Sequence, residues 1–382
     1  MMEGSALVYN DIKHVLGHFR FEGVYLSAEE IQSGNINNTY HLSYKTREGK
    51  TTQYVLQRIN NYAFKHPEQV MSNIVRVTNH LRANCAQLGL PPERSTLTVI
   101  ETDQGKNMYV DGRGSCWRAY HFIDQARAYD RVEKPEHFYE AGVAFGAFQR
   151  LLADFPADEL YETIPDFHNT RKRFYTFVAS VAEDRAGRVK DLEPEIDFFF
   201  ERRKRMSKIV GMIEQGILPL RVTHNDTKIN NVLIDTNTDK ALCPIDLDTV
   251  MPGSVLYDYG DAIRFGASTA AEDEPDTEKI HLDMELFELF TKGFVSRTKG
   301  FLTIAEMENL PLGIEVMTCE LAMRFLTDYM DGDLYFKVRS PEHNLIRARA
   351  QMKLLTDIES KRGAIQQTVD QFIAREVSAA ES

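Results

Sequence analysis

Cysteine is scarce in this chain. The four residues, Cys85, Cys116, Cys243 and Cys319, lie far apart and form no C-x-x-C pair. That argues against a disulfide framework or a zinc ribbon and for buried free thiols in a reducing compartment. Long apolar runs are missing too: none approaches the roughly 18 residues that cross a bilayer, and Met1-Met-Glu-Gly lacks the basic-then-apolar start of a secretory signal. A cytoplasmic location with no membrane partner is therefore expected. Positive charge is in short supply, with 45 Lys+Arg against 57 Asp+Glu and a net charge of −12. This argues against nucleic acid as a partner. It leaves nucleotides open, because backbone dipoles and a few local cations suffice to grip a phosphate. There is no internal repeat and no low-complexity tract.

What is present is the composition of a soluble globular protein, 43% hydrophobic and 27% charged. At 382 residues two or three domains are expected. Residues 5–19 carry apolar side chains at helical spacing, and a β-rich stretch follows. The polar run Ser33-Gly-Asn-Ile-Asn-Asn-Thr-Tyr40 sits between two strand candidates, where backbone N–H groups would cover a phosphate. Gly34, Asn37 and Thr39 are its nucleotide-binding candidates, although an ordinary hairpin turn fits the letters as well. A hairpin turning at 47–50 places Leu56 and Arg58 on one strand face. Arg58 reads either as the cation for the α/β-phosphates or as an edge-strand residue facing solvent. Pro67 starts a helix in which Glu68 is the only acid placed to pair with Arg58.

Strands over 96–101 and 108–110 precede Trp117–Ile123, which reads as the last strand of a small lobe. Tyr120, His121, Phe122 and Ile123 are candidates for holding adenine by backbone groups, or simply an interdomain strand. From 135 onward the periodicity is helical, over 135–152, 167–186, 193–215, 282–298, 304–331 and 340–374. Residues 266–279 read as a mobile acidic loop. The lobes are expected at 1–123, nucleotide-binding, and 124–382, catalytic and substrate-binding.

The densest signal is Arg221-Val-Thr-His-Asn-Asp-Thr-Lys-Ile-Asn-Asn-Val-Leu-Ile-Asp235, followed by a turn, a strand and Asp246. Asp-x-Lys-x-x-Asn, then strand–turn–strand–Asp, is the layout of a phosphoryl-transfer loop and its metal site. Asp226 would accept the proton of the attacking hydroxyl, and Lys228 would neutralise charge on the moving phosphoryl group. Asn231 and Asp246 supply a neutral and a charged oxygen, a donor pair suited to Mg2+. His224 reads as structural. Asp258 and Asp261 read as acceptors for N–H groups of the loop, or as helix N-caps. Chance assembly of the whole pattern is rarer than roughly one in a thousand chains of average composition.

At His224-Asn-Asp-Thr-Lys-Ile-Asn-Asn231 with Ile245-Asp246 the chain resembles the aminoglycoside phosphotransferase and choline kinase superfamily. S-G-N-I-N-N-T-Y, Y-V-L-Q-R-I-N, I-D-L-D-T-V-M-P-G and R-F-L-T-D-Y-M-D-G-D-L-Y-F-K together are similar to the N-acetylhexosamine 1-kinases. The resemblance implies an α+β, bilobal, protein-kinase-like fold with a small β-rich N-lobe and a larger helical C-lobe. It implies transfer of the ATP γ-phosphate to the anomeric hydroxyl of N-acetylglucosamine or N-acetylgalactosamine. It also implies Asp226 as base, Asn231 and Asp246 as Mg2+ ligands, and Arg58 near the phosphates. It points to Arg324 and Tyr335 for the sugar, with Asn35 and Asn225 as further candidates. Arg324 has Asp328 one helical turn on, so an i,i+4 ion pair is the alternative, and Tyr335 reads equally as packing. With no G-x-G-x-x-G, no D-F-G, Asn225 in place of Arg and Arg58 in place of Lys, the chain departs from protein kinases. A monomer or weak dimer is expected. Rival readings are a kinase of another small alcohol (aminoglycoside, choline or ethanolamine, methylthioribose) or an inactive nucleotide-binding regulator.

Overall fold

A computed structural model describes residues 2–31 and 37–378, with side chains at 9–31 and 37–374. The chain divides into two compact units. The first comprises Met1–Ala126 with Glu159–Ile164 and Ile245–Val250; the second comprises Arg127–Asp158, Pro165–Pro244 and Met251–Ser382.

The first unit is an antiparallel sheet with helices. Its strands are β1 (Val24–Ile31), β2 (Asn38–Lys45), β3 (Thr51–Ile59), β4 (Val99–Ile100), β5 (Tyr109–Val110) and β6 (Cys116–His121). They run in the order β1-β2-β3-β6-β4, with β5 also on β6. Alternation of side chains decides what each face does. Tyr40, Leu42, Tyr54, Leu56, Trp117 and Ala119 are buried on one face, with Ile12 and Val15 of α1 (Met2–Leu16) and with Phe19. The opposite face carries Gln57 and Arg118, which are register partners. Arg118 is 1% exposed and forms a buried ion pair with Asp248, and its Nε donates to Gln57 Oε1 at 2.9 Å. Asn37 donates to the other Asp248 oxygen at 2.7 Å and accepts from Asn60 N at 3.0 Å. From α2 (Pro67–Gln87), buried Asn73 donates to the carbonyls of Tyr161 at 2.8 Å and Val250 at 3.0 Å. These polar bonds bring two segments distant in sequence into the unit. A single turn, α3 (Pro92–Ser95), completes it, and β7 (Ala126–Arg127) marks where the chain passes on.

The second unit is mainly helical: α4 (Pro135–Leu151), α5 (Thr170–Glu183), α6 (Glu193–Met206), α7 (Lys208–Glu214), α8 (Val255–Gly266), α9 (Met284–Thr298), α10 (Ile304–Glu308), α11 (Leu310–Asp331), α12 (His343–Ser360) and α13 (Arg362–Ser378). Two short antiparallel pairs lie among them. One is β8 (Arg221–Thr223) with β11 (Met251–Gly253); the other is β9 (Val232–Asp235) with β10 (Ala241–Pro244). The main core gathers Phe138, Phe145, Tyr259, Phe287, Phe290 and Phe294, and a second cluster collects Phe177, Phe199, Met323 and Phe325. Three expected helices are each broken in two, at Ser207, Asn309 and Lys361. In the second case Pro311 starts a new helix, since its missing N–H costs nothing there. Strands expected at 96–101 and 108–110 shrink to two residues each.

The 266–279 segment departs from the expected mobile loop. Glu272 is bound by Arg264 at 2.8 Å, Asp273 by His343 at 3.1 Å, and Ser268 bridges to Leu282. Glu272, Asp273 and Glu278 are ion-pair partners of the helices beside it, while Glu274 and Asp276 pair with Lys279 of the same segment.

Helix α8 is buried along nearly its whole length and crosses α11 where both carry glycine. A Cβ at Gly260 would overlap the Gly313 carbonyl, and one at Gly313 would overlap the Leu256 carbonyl. Backbone on both sides cannot yield cheaply. Gly313→Ala is expected to cost about 3 kcal/mol, read as a lowered urea midpoint at unchanged m-value. Arg118→Met strands the buried Asp248 carboxylate and should cost about 3–5 kcal/mol in the same measurement.

Candidate active site

Strand β8 ends at Thr223, and the loop that follows is shaped by backbone donors rather than by side-chain packing. Asn225 adopts φ 63°, a left-handed conformation that asparagine tolerates better than most residues. The turn aims the N–H groups of His224 and Asn225 at the two oxygens of Asp258, at 2.9 and 2.8 Å. Thr227 N donates to Asp261 Oδ2 at 3.1 Å, and its hydroxyl to the Asp258 carbonyl at 2.6 Å. Gln149 of α4 completes the set by donating to Asp258 Oδ2 at 2.7 Å and to the Val222 carbonyl at 3.1 Å. Both aspartates therefore act as acceptors for the loop, and the N-cap of α8 is Ser254. The His224 ring is fully buried and meets Phe145 and Phe148 edge-on, at centroid distances of 5.5 and 5.9 Å.

On this frame Asp226, Lys228 and Asn231 converge. Lys228 Nζ lies 2.8 Å from Asp226 Oδ1, and Asn231 Nδ2 donates to Asp226 Oδ2 at 3.0 Å and to its carbonyl at 2.9 Å. Burial works to raise the Asp226 pKa, but Lys228 beside it and the amide of Asn231 outweigh that, so the carboxyl is held below its usual range. Lys228 is pushed up in turn, chiefly by Asp226, with Asp261 and Glu272 adding to it. Because Asn231 spends its nitrogen on Asp226, its Oδ1 accepts no hydrogen bond from a described residue. An uncommitted amide oxygen of this kind suits a hard divalent ion. Asn231 immediately precedes β9 and Asp246 follows β10 by two residues, with Val232 paired to Pro244. Asp246 is itself left-handed, at φ 59°.

Other sequence candidates are placed differently from expectation. Arg58 lies on the Trp117 face of the sheet, donating to Asn38 Oδ1 at 2.8 Å with its guanidinium 5.9 Å from the Trp117 ring. It lines a cavity with His14, Tyr40 and Asp111, on the face opposite Arg118 and Asp248. Arg58 shares the Leu56 face, as strand alternation requires; the buried cation of the opposite face is Arg118, beside Gln57, and sequence reasoning passed it over. Its neighbours on β6 are apolar and aromatic, so nothing in the local letters sets it apart. Glu68 pairs with His66 at 3.2 Å rather than with Arg58. Asn37 is committed at both ends of its amide to Asp248 and Asn60, while Thr39 accepts from Gln57 at 3.0 Å on the Arg118 face. Of the adenine candidates, His121 and Phe122 donate their N–H groups to the Thr98 and Gln53 carbonyls. Tyr120 is buried with its ring beside Arg118. Only the Ile123 N–H is left without a described partner. Gly34 and Asn35 lie outside the described residues.

Arg324 and Tyr335 come together. The guanidinium is 3.4 Å from the Tyr335 hydroxyl and lies 5.4–5.5 Å from the rings of Phe167, Tyr335 and Phe336. The alternative pairing with Asp328 does not form. Asp328 instead accepts the N–H groups of Leu334, Tyr335 and Phe336 at 2.7–2.9 Å, so it sets the turn that presents Tyr335. Phe167 contacts His168, whose ring faces Tyr257, the residue before Asp258. A continuous run of rings thus joins the Arg324 cluster to the anchor of the 224–231 loop. Asn225 is 5% exposed, and its side-chain amide donates to the Thr223 carbonyl at 3.3 Å; its described role is in the turn.

Comparison with known proteins agrees with this architecture. The solved structure of a microcompartment-associated aminopropanol kinase superposes with a TM-score of 0.61 at 15% identity, covering 93% of this chain and 98% of that one. A choline kinase from Cryptosporidium parvum Iowa II gives 0.55 at 14% identity over 90% of each chain. An amicoumacin kinase in complex with AMP-PNP and Ca2+ gives 0.54 at 14% identity over 93% of each. These likenesses show a mixed α and β fold of the protein-kinase-like kind, a sheet region followed by a helical part. Residues 27–284 match the model of the phosphotransferase enzyme family, APH. The chain belongs to the APH phosphotransferase family.

Proposed function

We propose that this chain is an ATP-dependent kinase that phosphorylates the anomeric hydroxyl of an N-acetylhexosamine, giving the sugar 1-phosphate. For the chemistry, the supporting observation is the Asp226 carboxylate held ionised between Lys228 and Asn231. For the acceptor class, it is Arg324, set among three rings and in no ion pair with a described carboxylate. A choline- or aminoglycoside-like acceptor would need free carboxylates around its cation. The acidic loop, the one place where sequence offered them, has Glu272, Asp273 and Glu278 already paired with Arg264, His343 and Lys353. Arg173 adds a second cation close enough to Arg324 to be felt in its own titration, where burial first and Arg324 next lower its pKa. Neutral, hydroxyl- and amide-bearing acceptors suit such a surface.

In this reading Asp226 accepts the proton of the anomeric hydroxyl as its oxygen bonds to the γ-phosphorus and the bond to the β-phosphate oxygen breaks, releasing ADP. A lowered carboxylate pKa makes a weak base, and the anomeric hydroxyl is the most acidic one on a sugar, so the two are matched. Lys228 stabilises charge on the transferring group. Asn231 and Asp246 would hold Mg2+, which when bound neutralises the phosphate oxygens of ATP. The N-terminal unit is assigned the nucleotide, with Arg118 and Asp248 fixing the segment that carries Asp246; the helical unit is assigned the acceptor.

Asp226→Asn should lower kcat by about 10³-fold with ATP affinity kept, measured by coupled ADP release and calorimetry. Near-wild-type turnover would remove the residue from its role. Because the carboxyl titrates below its usual range, kcat with an N-acetylhexosamine should show no acid limb with a midpoint between roughly pH 5 and 7. The same carboxyl adds stability that is present above its unfolded value near 3.9 and lost as pH falls through its lower folded value. Phosphate transfer from ATP to N-acetylglucosamine, N-acetylgalactosamine, glucose, choline and kanamycin, with the product position read by NMR, tests the acceptor class. Turnover confined to the amines would overturn it.

A further inference from the structure

Arg264 of α8 is 2% exposed and is not explained by the assignments above. Its Nε and Nη2 both donate to Asp261 Oδ1, at 3.0 and 2.8 Å. Its Nη1 donates to Glu272 Oε1 at 2.8 Å and to Gln351 Oε1 of α12 at 3.3 Å. The other oxygen of Asp261 holds Thr227 N, midway between Asp226 and Lys228. A single line of hydrogen bonds therefore runs Glu272–Arg264–Asp261–Thr227 N. Three of its groups are buried and fixed by packing, while Glu272 sits on the connecting segment between α8 and α9 and is 27% exposed. Glu272 is thus the member of the line that can leave.

We propose that Glu272 is a positioning residue for the catalytic loop, and that its segment works as a latch on the Asp226–Lys228 pair. Seated, Glu272 balances Arg264, so the guanidinium keeps Asp261 aimed at Thr227 N. It also adds negative charge around Lys228, the third carboxylate acting there after Asp226 and Asp261. Unseated, Arg264 keeps only Asp261 and Gln351, and a buried cation short of a counter-charge recruits the shared carboxylate more strongly. The loop N–H loses geometry, and the base and its lysine lose registration with the acceptor. The segment is tied down a second time by Asp273 to His343, so the latch is fastened at neighbouring residues to two helices.

The kinetic half of the proposal rests on the kinase reading above; the structural half does not. The test is Glu272→Gln beside Glu274→Gln, a neighbouring acid whose nearest cation is Lys279 at 3.7 Å and which does not reach Arg264. Amide exchange of a peptide covering 224–231 is followed by mass spectrometry in both variants, with thermal unfolding and steady-state kinetics. Glu272→Gln should speed exchange there by about 5–10-fold and lower kcat by a similar factor, with KM for ATP and the unfolding midpoint kept. Glu274→Gln should match wild type in all of these. Unchanged exchange in Glu272→Gln overturns the coupling whatever the acceptor proves to be. Faster exchange with unchanged kcat overturns the positioning role. Faster exchange in a protein whose wild type phosphorylates none of the acceptor panel upholds the latch and refutes the acceptor assignment instead.

Discussion

The 224–231 loop depends on one buried carboxylate. Asp258 is 1% exposed, and burial pushes its pKa upward, against the charged form. Two backbone N–H groups, from His224 and Asn225, and the Gln149 amide oppose that cost. They do so only because the chain turns left-handed at Asn225, bringing consecutive amides onto the two oxygens of one carboxylate. The same turn fixes where Asp226 begins, so the placement of the proposed base is inherited from Asp258. The anchor in turn needs α8 to sit at backbone distance from α11, which Gly260 and Gly313 permit. Helix packing, loop shape and the base are thus links in one chain of constraint.

The sheet unit repeats the device with side chains in place of amides. Arg118 is a fully buried cation beside the Tyr120 ring, and its burial is tolerable because Asp248 is ion-paired to it and Gln57 bonds its Nε. Asn37 and Asn73 add neutral hydrogen bonds to the same 245–250 segment or its end. Breaking such a pair costs more than forming it gains, because either partner alone is a buried charge. The segment carrying Asp246 is therefore held all-or-none.

What could be read from the letters was whatever depends on spacing. The Asp226–Lys228–Asn231 pattern, the strands after it and the helix starting at Pro67 follow from short-range rules of turn, strand and helix. The roles of Asp258 and Asp261 were also legible, as acids placed just beyond a loop rich in unpaired N–H groups. Orientation across a sheet was not. Arg58 and Gln57 differ by one position, and only the pairing of β3 with β6 and the packing of α1 decides which faces Arg118. Asp328 was invisible for a related reason: its partners at 334–336 lie past the end of α11, so helical spacing to Arg324 suggested the wrong bond. The breaks at Ser207, Asn309 and Lys361 were blurred because the apolar periodicity continues on both sides of each.

The acidic segment shows how composition misleads where pairing is unknown. A net charge of −12 and a cluster of acids in one segment suggest attraction of cations. In the folded chain Glu272, Asp273 and Glu278 are each claimed by a neighbouring cation, whereas Arg324, on a helix with plentiful acids, is claimed by none and lies among rings. Around Arg324 the described charges are a second cation, Arg173, and the buried Glu320, whose carboxyl is held below its usual range by His168 and both arginines. On the proposed reading, a neutral acceptor whose hydroxyls and amide can receive hydrogen bonds from a guanidinium gains from that arrangement. On the same reading a quaternary ammonium would have to displace Arg324 to reach the rings it covers, beside a carboxylate, Glu320, already shared with His168 and Arg173.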